Sequence, residues 1–175
     1  IRDLMGSWFE LKVRAVLGPE DKDDKEVTIL GRTVRSKPWG YEYEADDKHQ
    51  RIVMEYFGYN SNTKSLSTNG RVDTEAEMME AVELEGSEAT CFRALAARLN
   101  FLAQGSPDIL FSAKEVCRET SVPTSASWHR LKRITRYLLT RGRAVFQYRW
   151  QDEGAEMSVY TDSDWAGCRR TRKSK

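Results

Sequence analysis

Trp128-His129-Arg130-Leu131-Lys132-Arg133-Ile134-Thr135-Arg136-Tyr137-Leu138 is followed, past Gly142, by Ala144-Val145-Phe146-Gln147-Tyr148-Arg149-Trp150. In the first run Trp128, Leu131, Ile134, Tyr137 and Leu138 fall on one stripe of a helix, Arg130, Arg133 and Arg141 can point outward, and Gly142 is a stop signal. The second run alternates Ala144, Phe146, Tyr148 and Trp150 with Val145, Gln147 and Arg149, the period of a half-buried strand. A polar turn through Asp152, Glu153 and Gly154 leads to Met157, Val159 and Thr161, which alternate with Ser158, Tyr160 and Asp162. Residues 144–162 therefore read as an antiparallel hairpin that follows helices, and the fold class as α+β.

Working upstream, Phe92, Leu95, Ala96, Leu99 and Leu102 fall at helical spacing. Ser106-Pro107-Asp108 then supplies N-cap, N1 and N2 for a helix that presents Ile109, Leu110, Ala113, Val116 and Cys117, and Pro123 separates it from the helix at Trp128. Three helices in a row predict a small bundle. Residues 58–87 are rich in Asn, Ser, Thr, Gly and Glu, and read as a connection with one short acidic helix near Glu75 to Leu84. Before it, Asp46 or Asp47 caps a helix carrying Ile52, Val53, Tyr56 and Phe57 and ending at Gly58. Val27, Ile29, Leu30 and Val34 run to Pro38-Trp39-Gly40, and Tyr41 and Tyr43 alternate with Glu42 and Glu44, so residues 27–44 predict a hairpin. Leu4, Trp8, Leu11 and Ala15 predict a short amphipathic helix within 3–17, or a helix running into a strand.

The chain has 175 residues, 39% apolar and 31% charged, enough bulky surface for a real core beneath a solvated exterior. No run approaches the roughly 20 apolar residues that a bilayer span requires, and Arg2 and Asp3 stand where a signal peptide would be apolar. Cys91, Cys117 and Cys168 lack the spacing of a disulfide framework or a zinc site, which makes a reducing, intracellular compartment the expectation. An initial Ile and a terminal Thr-Arg-Lys-Ser-Lys fit a piece of a longer reading frame. Charge is segregated: residues 128–175 carry 12 basic and 5 acidic side chains, a sum of +7, whereas residues 1–60 sum to −2 and 61–127 to −4. A basic last third suits a polyanion partner, although a solvated helix face has the same composition.

One constellation carries chemistry. Tyr160-Thr161-Asp162-Ser163-Asp164-Trp165 brings two carboxylates, two residues apart, to the end of a strand, where they share a face and could reach one divalent cation. Two-metal phosphodiester hydrolysis needs such clustered hard ligands, but about four of them, and Asp-x-Asp after a strand is also the sequence of a turn. Glycine-rich phosphate loops, nucleophile elbows, zinc spacings and internal repeats are absent from the sequence.

Tyr160-Thr161-Asp162-Ser163-Asp164-Trp165-Ala166-Gly167-Cys168, with Thr171-Arg172-Lys173-Ser174 beyond, resembles the opening of the ribonuclease H domain in copia-type long-terminal-repeat retrotransposon polyproteins. Trp128 to Leu138 resembles the helix that leads into it. Phe92-Arg93-Ala94-Leu95 through Pro107-Asp108-Ile109 is similar to the thumb or connection helices, and Ile29-Leu30-Gly31-Arg32 through Tyr56-Phe57-Gly58 to the palm hairpin and helix. Thr68-Asn69 and Ser106 depart from the family's usual Thr-Pro and Arg. The resemblance implies the end of a reverse transcriptase palm at 1–60, thumb and connection helices at 61–143, and the first strands of ribonuclease H at 144–175. It further implies Asp162 as a catalytic and metal-binding carboxylate, with Asp164 as a second candidate ligand. Mg²⁺ or Mn²⁺ would be the cofactor of the full-length enzyme, and neither is expected to bind this chain tightly. The implied partners are an RNA/DNA hybrid or template-primer and the remainder of the pol polyprotein, with no membrane. The implied setting is cytoplasmic or nuclear, in an intact element within its virus-like particle. Arg130, Arg133, Arg136, Arg141 and Arg143 are the candidate nucleic-acid-binding residues. No Asp-Asp pair matches the polymerase signature, and the resemblance implies that the remaining ribonuclease H carboxylates would follow Lys175, so both active sites are expected to be incomplete and the chain inactive alone. The alternative is a non-catalytic binding or scaffold remnant of a decayed or domesticated element.

Overall fold

A computed structural model describes residues 2–141, 144–152 and 157–161. The elements run α1 (Arg2–Gly6), β1 (Glu26–Ile29), β2 (Arg32–Lys37), β3 (Gly40–Ala45), α2 (Lys48–Tyr56), α3 (Glu75–Met79), α4 (Gly86–Ala103), a 3₁₀ turn (Pro107–Ile109), α5 (Leu110–Cys117), α6 (Ser125–Leu138) and β4 (Val145–Arg149). Helices and an antiparallel sheet make this an α+β protein.

α4 is the centre of the core. Its Phe92, Leu95, Leu99 and Leu102 are buried together with Ala89, Ala96 and Ala103, and the alanines recur every seven residues. Small side chains at that spacing let neighbouring helices approach closely, while the larger ones fill the space between. Val53 of α2, Ala113 and Val116 of α5, and Leu131, Ile134, Tyr137 and Leu138 of α6 close around it, with Ile109 entering from the 3₁₀ turn. Each large side chain taken fully out of water contributes about 1.5–3 kcal/mol before chain entropy is counted. Most of the stripes expected of these helices are buried, but Tyr56 and Leu110 face solvent and Ile52, Phe57, Cys117 and Trp128 are only half-buried. Thr124 caps α6 in a reciprocal box: its hydroxyl accepts from the Ser127 amide at 3.3 Å, and the Ser127 hydroxyl accepts from the Thr124 amide at 2.6 Å. α3 begins on the same device, built from Thr74 and Glu77.

The β segment departs from expectation in two ways. Residues 27–44 form three strands, because Leu30 and Gly31 turn the chain with φ of 51° and 71°. Both central residues at positive φ match a type I′ hairpin turn, which Asn-Gly would announce and Leu-Gly conceals. The second difference is larger. β4 pairs with β3, Tyr43 opposite Phe146 and Gly40 opposite Arg149, so the order is β1-β2-β3-β4. The partner expected at 157–161 forms no strand. Gly40 admits this pairing, since a Cβ there would overlap the Tyr148 carbonyl and its φ of 149° suits glycine. Edge-on contacts between Tyr41 and Trp150 at 5.1 Å and between Tyr43 and Phe146 at 6.0 Å reinforce it. The register gives one face the row Val27, Val34, Tyr43, Phe146 and the other the row Glu26, Arg35, Glu42, Gln147. Arg32 ties the sheet to the helices, donating to Gln104 at 3.0 Å and lying over the Phe101 ring.

α1 is one turn long rather than the expected helix across 3–17. Leu4 is 60% exposed and Trp8 72%, so among the described residues the stripe meets no partner, and an isolated turn cannot propagate on propensity alone.

Candidate nucleic-acid interface

Burying Leu131, Ile134 and Leu138 turns the opposite side of α6 toward residues 59–80. Between them lies a cleft of ≈ 510 Å³, walled by His129, Arg130, Lys132, Arg133 and Arg136 on the helix and by Tyr59, Arg71, Asp73, Glu77 and Glu80 on the connection. The arginines expected to point outward, Arg130, Arg133 and Arg141, do leave the core, yet the first two, and Arg136 with them, end on protein oxygens. Arg130 donates to both Glu119 carboxylate oxygens at 2.8 and 2.7 Å. Its Nε lies 3.3 Å from Asp73 Oδ2, within ion-pair range but without the alignment of a hydrogen bond. Arg133 donates to the Gly70 carbonyl at 3.2 Å and to the Thr68 hydroxyl at 2.6 Å, and Arg136 to the Lys64 carbonyl at 2.9 Å. The steps of three along the helix place these guanidiniums in one row down the cleft.

The remaining cations lie on rings. Lys132 sits 5.8 Å from the centre of Phe57 and 6.0 Å from Trp128, and Arg141, exposed, stands 4.5 Å over Tyr137. Phe57 stacks on Tyr59 at 5.3 Å, so an aromatic ledge borders the basic row. Burial pushes the Tyr59 phenol up in pKa, and the charge of Arg136 opposes that rise. Trp128 joins the core through Phe92 and Phe57, as an anchor rather than a free platform. His49 lies against Phe101 at 4.6 Å; burial and then Arg98 hold its pKa below the usual value, with Asp46 opposing and Lys48 adding to the fall.

Over 148 residues the chain is 35% identical to an uncharacterized mitochondrial protein of Arabidopsis thaliana, a match that takes in 83% of this chain and 58% of the relative. Over 81 residues, 46% of the chain, it is 30% identical to a retrovirus-related Pol polyprotein from transposon RE2 of the same plant. These similarities support a copia-type retrotransposon pol fragment. It spans 58% of the first of these proteins and 5% of the second. No family model matches this pol relative, and no solved structure matches it significantly.

Arg143, Asp162 and Asp164 of this pol relative lie outside the described residues, as does Gly142. Among the described residues no three His, Cys, Asp or Glu side chains gather as a metal site, and no helix is long and apolar enough to cross a membrane. Sequence reasoning missed the acceptors Thr68, Gly70, Asp73 and Glu119. Their only signal was indirect, a long polar connection followed by a helix with more arginines than its solvent face needs.

Proposed function

We propose that this pol relative grips the phosphate backbone of an RNA/DNA hybrid or template-primer through α6, as part of a reverse transcriptase and ribonuclease H polyprotein. The observation that carries the reading is the row Arg130, Arg133, Arg136 along one cleft, in a chain whose last third sums to +7 and whose relatives include a Pol polyprotein. Binding of this kind neutralises phosphates and releases counterions, so it is independent of base sequence and falls steeply with salt. In the same reading residues 1–60 are the end of the palm, 61–143 the thumb and connection, and 144–175 the first strands of ribonuclease H. Asp162, with Asp164 as a second candidate, would then contribute to an incomplete Mg²⁺ or Mn²⁺ site whose other carboxylates belong to the full-length enzyme. Alone the chain would synthesise no DNA and cleave no hybrid, and it would act inside the cell, in the cytoplasm, the nucleus or the element's particle.

Fluorescence anisotropy with a labelled hybrid across a salt series tests the grip. A straight fall of log affinity with log salt supports it, and no binding at 50 mM salt removes it. In the full-length frame, Asp162→Asn is expected to abolish hybrid cleavage and spare DNA synthesis, with Asp164→Asn costing much less. A second reading, a non-catalytic remnant of a decayed or domesticated element, is favoured by the relative named as a mitochondrial protein, which this chain matches along 58% of its length. Under it the full-length frame would bind hybrid with neither activity.

A further inference from the structure

The arginines that suit a phosphate backbone are already occupied, and the occupant is the protein's own chain. Residues 60–80 cross the basic side of α6 and offer it oxygens of mixed strength. Arg136 and Arg133 hold neutral acceptors, the Lys64 and Gly70 carbonyls and the Thr68 hydroxyl. Arg130 holds carboxylates, Asp73 and Glu119. A guanidinium meets a full opposite charge on an ionised oxygen and only a dipole on a neutral one, so it holds the ionised oxygen more strongly. Phosphate can therefore outcompete the partners of Arg133 and Arg136, while against Arg130 it meets an equal.

The segment is also held in the way a removable part would be. No side chain from 60 to 80 is buried, so it brings no apolar area into the core, and such segments open at low cost. Its two ends are fastened independently of α6's basic row. Just before one, the Tyr59 amide donates to the Met54 carbonyl of α2 at 3.0 Å. Just past the other, the Val82 and Leu84 amides donate to the Ser125 hydroxyl at 3.1 Å and the Pro123 carbonyl at 2.8 Å. Besides the arginines, the stretch between is held by Asn69, which donates to the Asp108 carbonyl at 2.6 Å and accepts from the Ser112 hydroxyl at 2.8 Å, polar contacts that can exchange with water as it lifts while both ends stay in place. Left where it is, it would set Asp73, Glu77 and Glu80 against an approaching phosphate chain.

We propose that residues 60–80 are a strap over the nucleic-acid-binding face of α6, and that nucleic acid binds by displacing it, Arg133 and Arg136 exchanging neutral protein oxygens for phosphate oxygens. The inference rests on the α6 grip proposed above. Apparent affinity is then the intrinsic affinity multiplied by the fraction of molecules with the strap lifted.

A disulfide that pins the strap without replacing any of the arginines tests this. A Cβ placed on Gly70 would stand 3.3 Å from the Ser112 hydroxyl of α5, a distance suited to a Gly70→Cys, Ser112→Cys bridge. The pair is made in a chain carrying Cys91→Ala, Cys117→Ala and Cys168→Ala. Oxidised, it should bind a labelled RNA/DNA hybrid at least about tenfold more weakly than after reduction. Equal affinity of the oxidised and reduced forms, with the bridge verified by mass, overturns the strap and leaves the α6 grip standing. Absence of binding by the reduced form and by the unaltered chain alike overturns the grip itself. Thr68→Ala covers the case in which the bridge does not form: removing a neutral acceptor of Arg133 should tighten binding about two- to fivefold. Unchanged or weaker binding by that variant counts against displacement.

Discussion

α4 and the 60–80 connection belong to the same molecule and are held by opposite physics. α4 buries seven side chains and uses few polar contacts beyond its own backbone. The connection buries none and is held by guanidiniums, hydroxyls and carbonyls. Apolar burial is indifferent to salt and collective in its loss, whereas hydrogen bonds at a wet surface exchange one by one with water, ions and ligands. The contrast teaches where stability and function separate in this fold: the rigid part aims the arginines, and the loosely held part decides whether they are accessible.

The contrast can be broken most forcefully in the core. Leu99→Ala should lower global stability by about 2–5 kcal/mol, read by chemical denaturation, with the connection loosened only as far as the whole chain is. A small effect would mean that α4 is not the centre of the core. Arg130→Ala comes next. It leaves Asp73 and Glu119 without their cation, and a loss of about 1–3 kcal/mol is expected because charged hydrogen bonds at a half-buried site are removed on one side only. If Arg130 acted only as a solvated charge, the transition would not move.

Arg136→Ala should cost less, about 0.5–1.5 kcal/mol, and locally: faster amide exchange around Lys64 to Leu66 with α4 unchanged. Exchange that rises equally in α4 would show the two regions to be one cooperative unit. The smallest effect is a pH dependence at Glu77. The Arg71 guanidinium, then the Thr74 amide, hold its carboxyl down to about 2, from an ordinary value of 4.5. A depressed folded pKa stabilises above the unfolded value, so the α3 cap should be intact above pH 4.5, weaken as pH falls, and be lost near pH 2. Amide exchange at Glu75 to Met79 follows it, and insensitivity between pH 5 and 2.5 would mean that Arg71 and Glu77 are not paired in solution.

The helices were legible because the stripes of α4, α5 and α6 are local patterns whose partner could be any apolar surface. The same logic misled at Leu4, Trp8 and Leu11, where a stripe exists and no surface among the described residues meets it. Of the candidate interface, the row of arginines was legible by its spacing of three, and the oxygens that satisfy it were not. Thr68 and Arg133 are 65 residues apart, and nothing in either neighbourhood announces the other.

Composition and periodicity alone determined that this chain would form packed helices beside strands, with its positive charge gathered near the end. Only the tertiary structure decided that β4 would leave its sequence neighbours for β3, and that the arginines of α6 would be covered by 60–80. The physical reason is the same for both. Backbone edges and guanidiniums pair with whatever complementary group the packed core brings near, and that proximity is a property of the assembled chain rather than of any window of it.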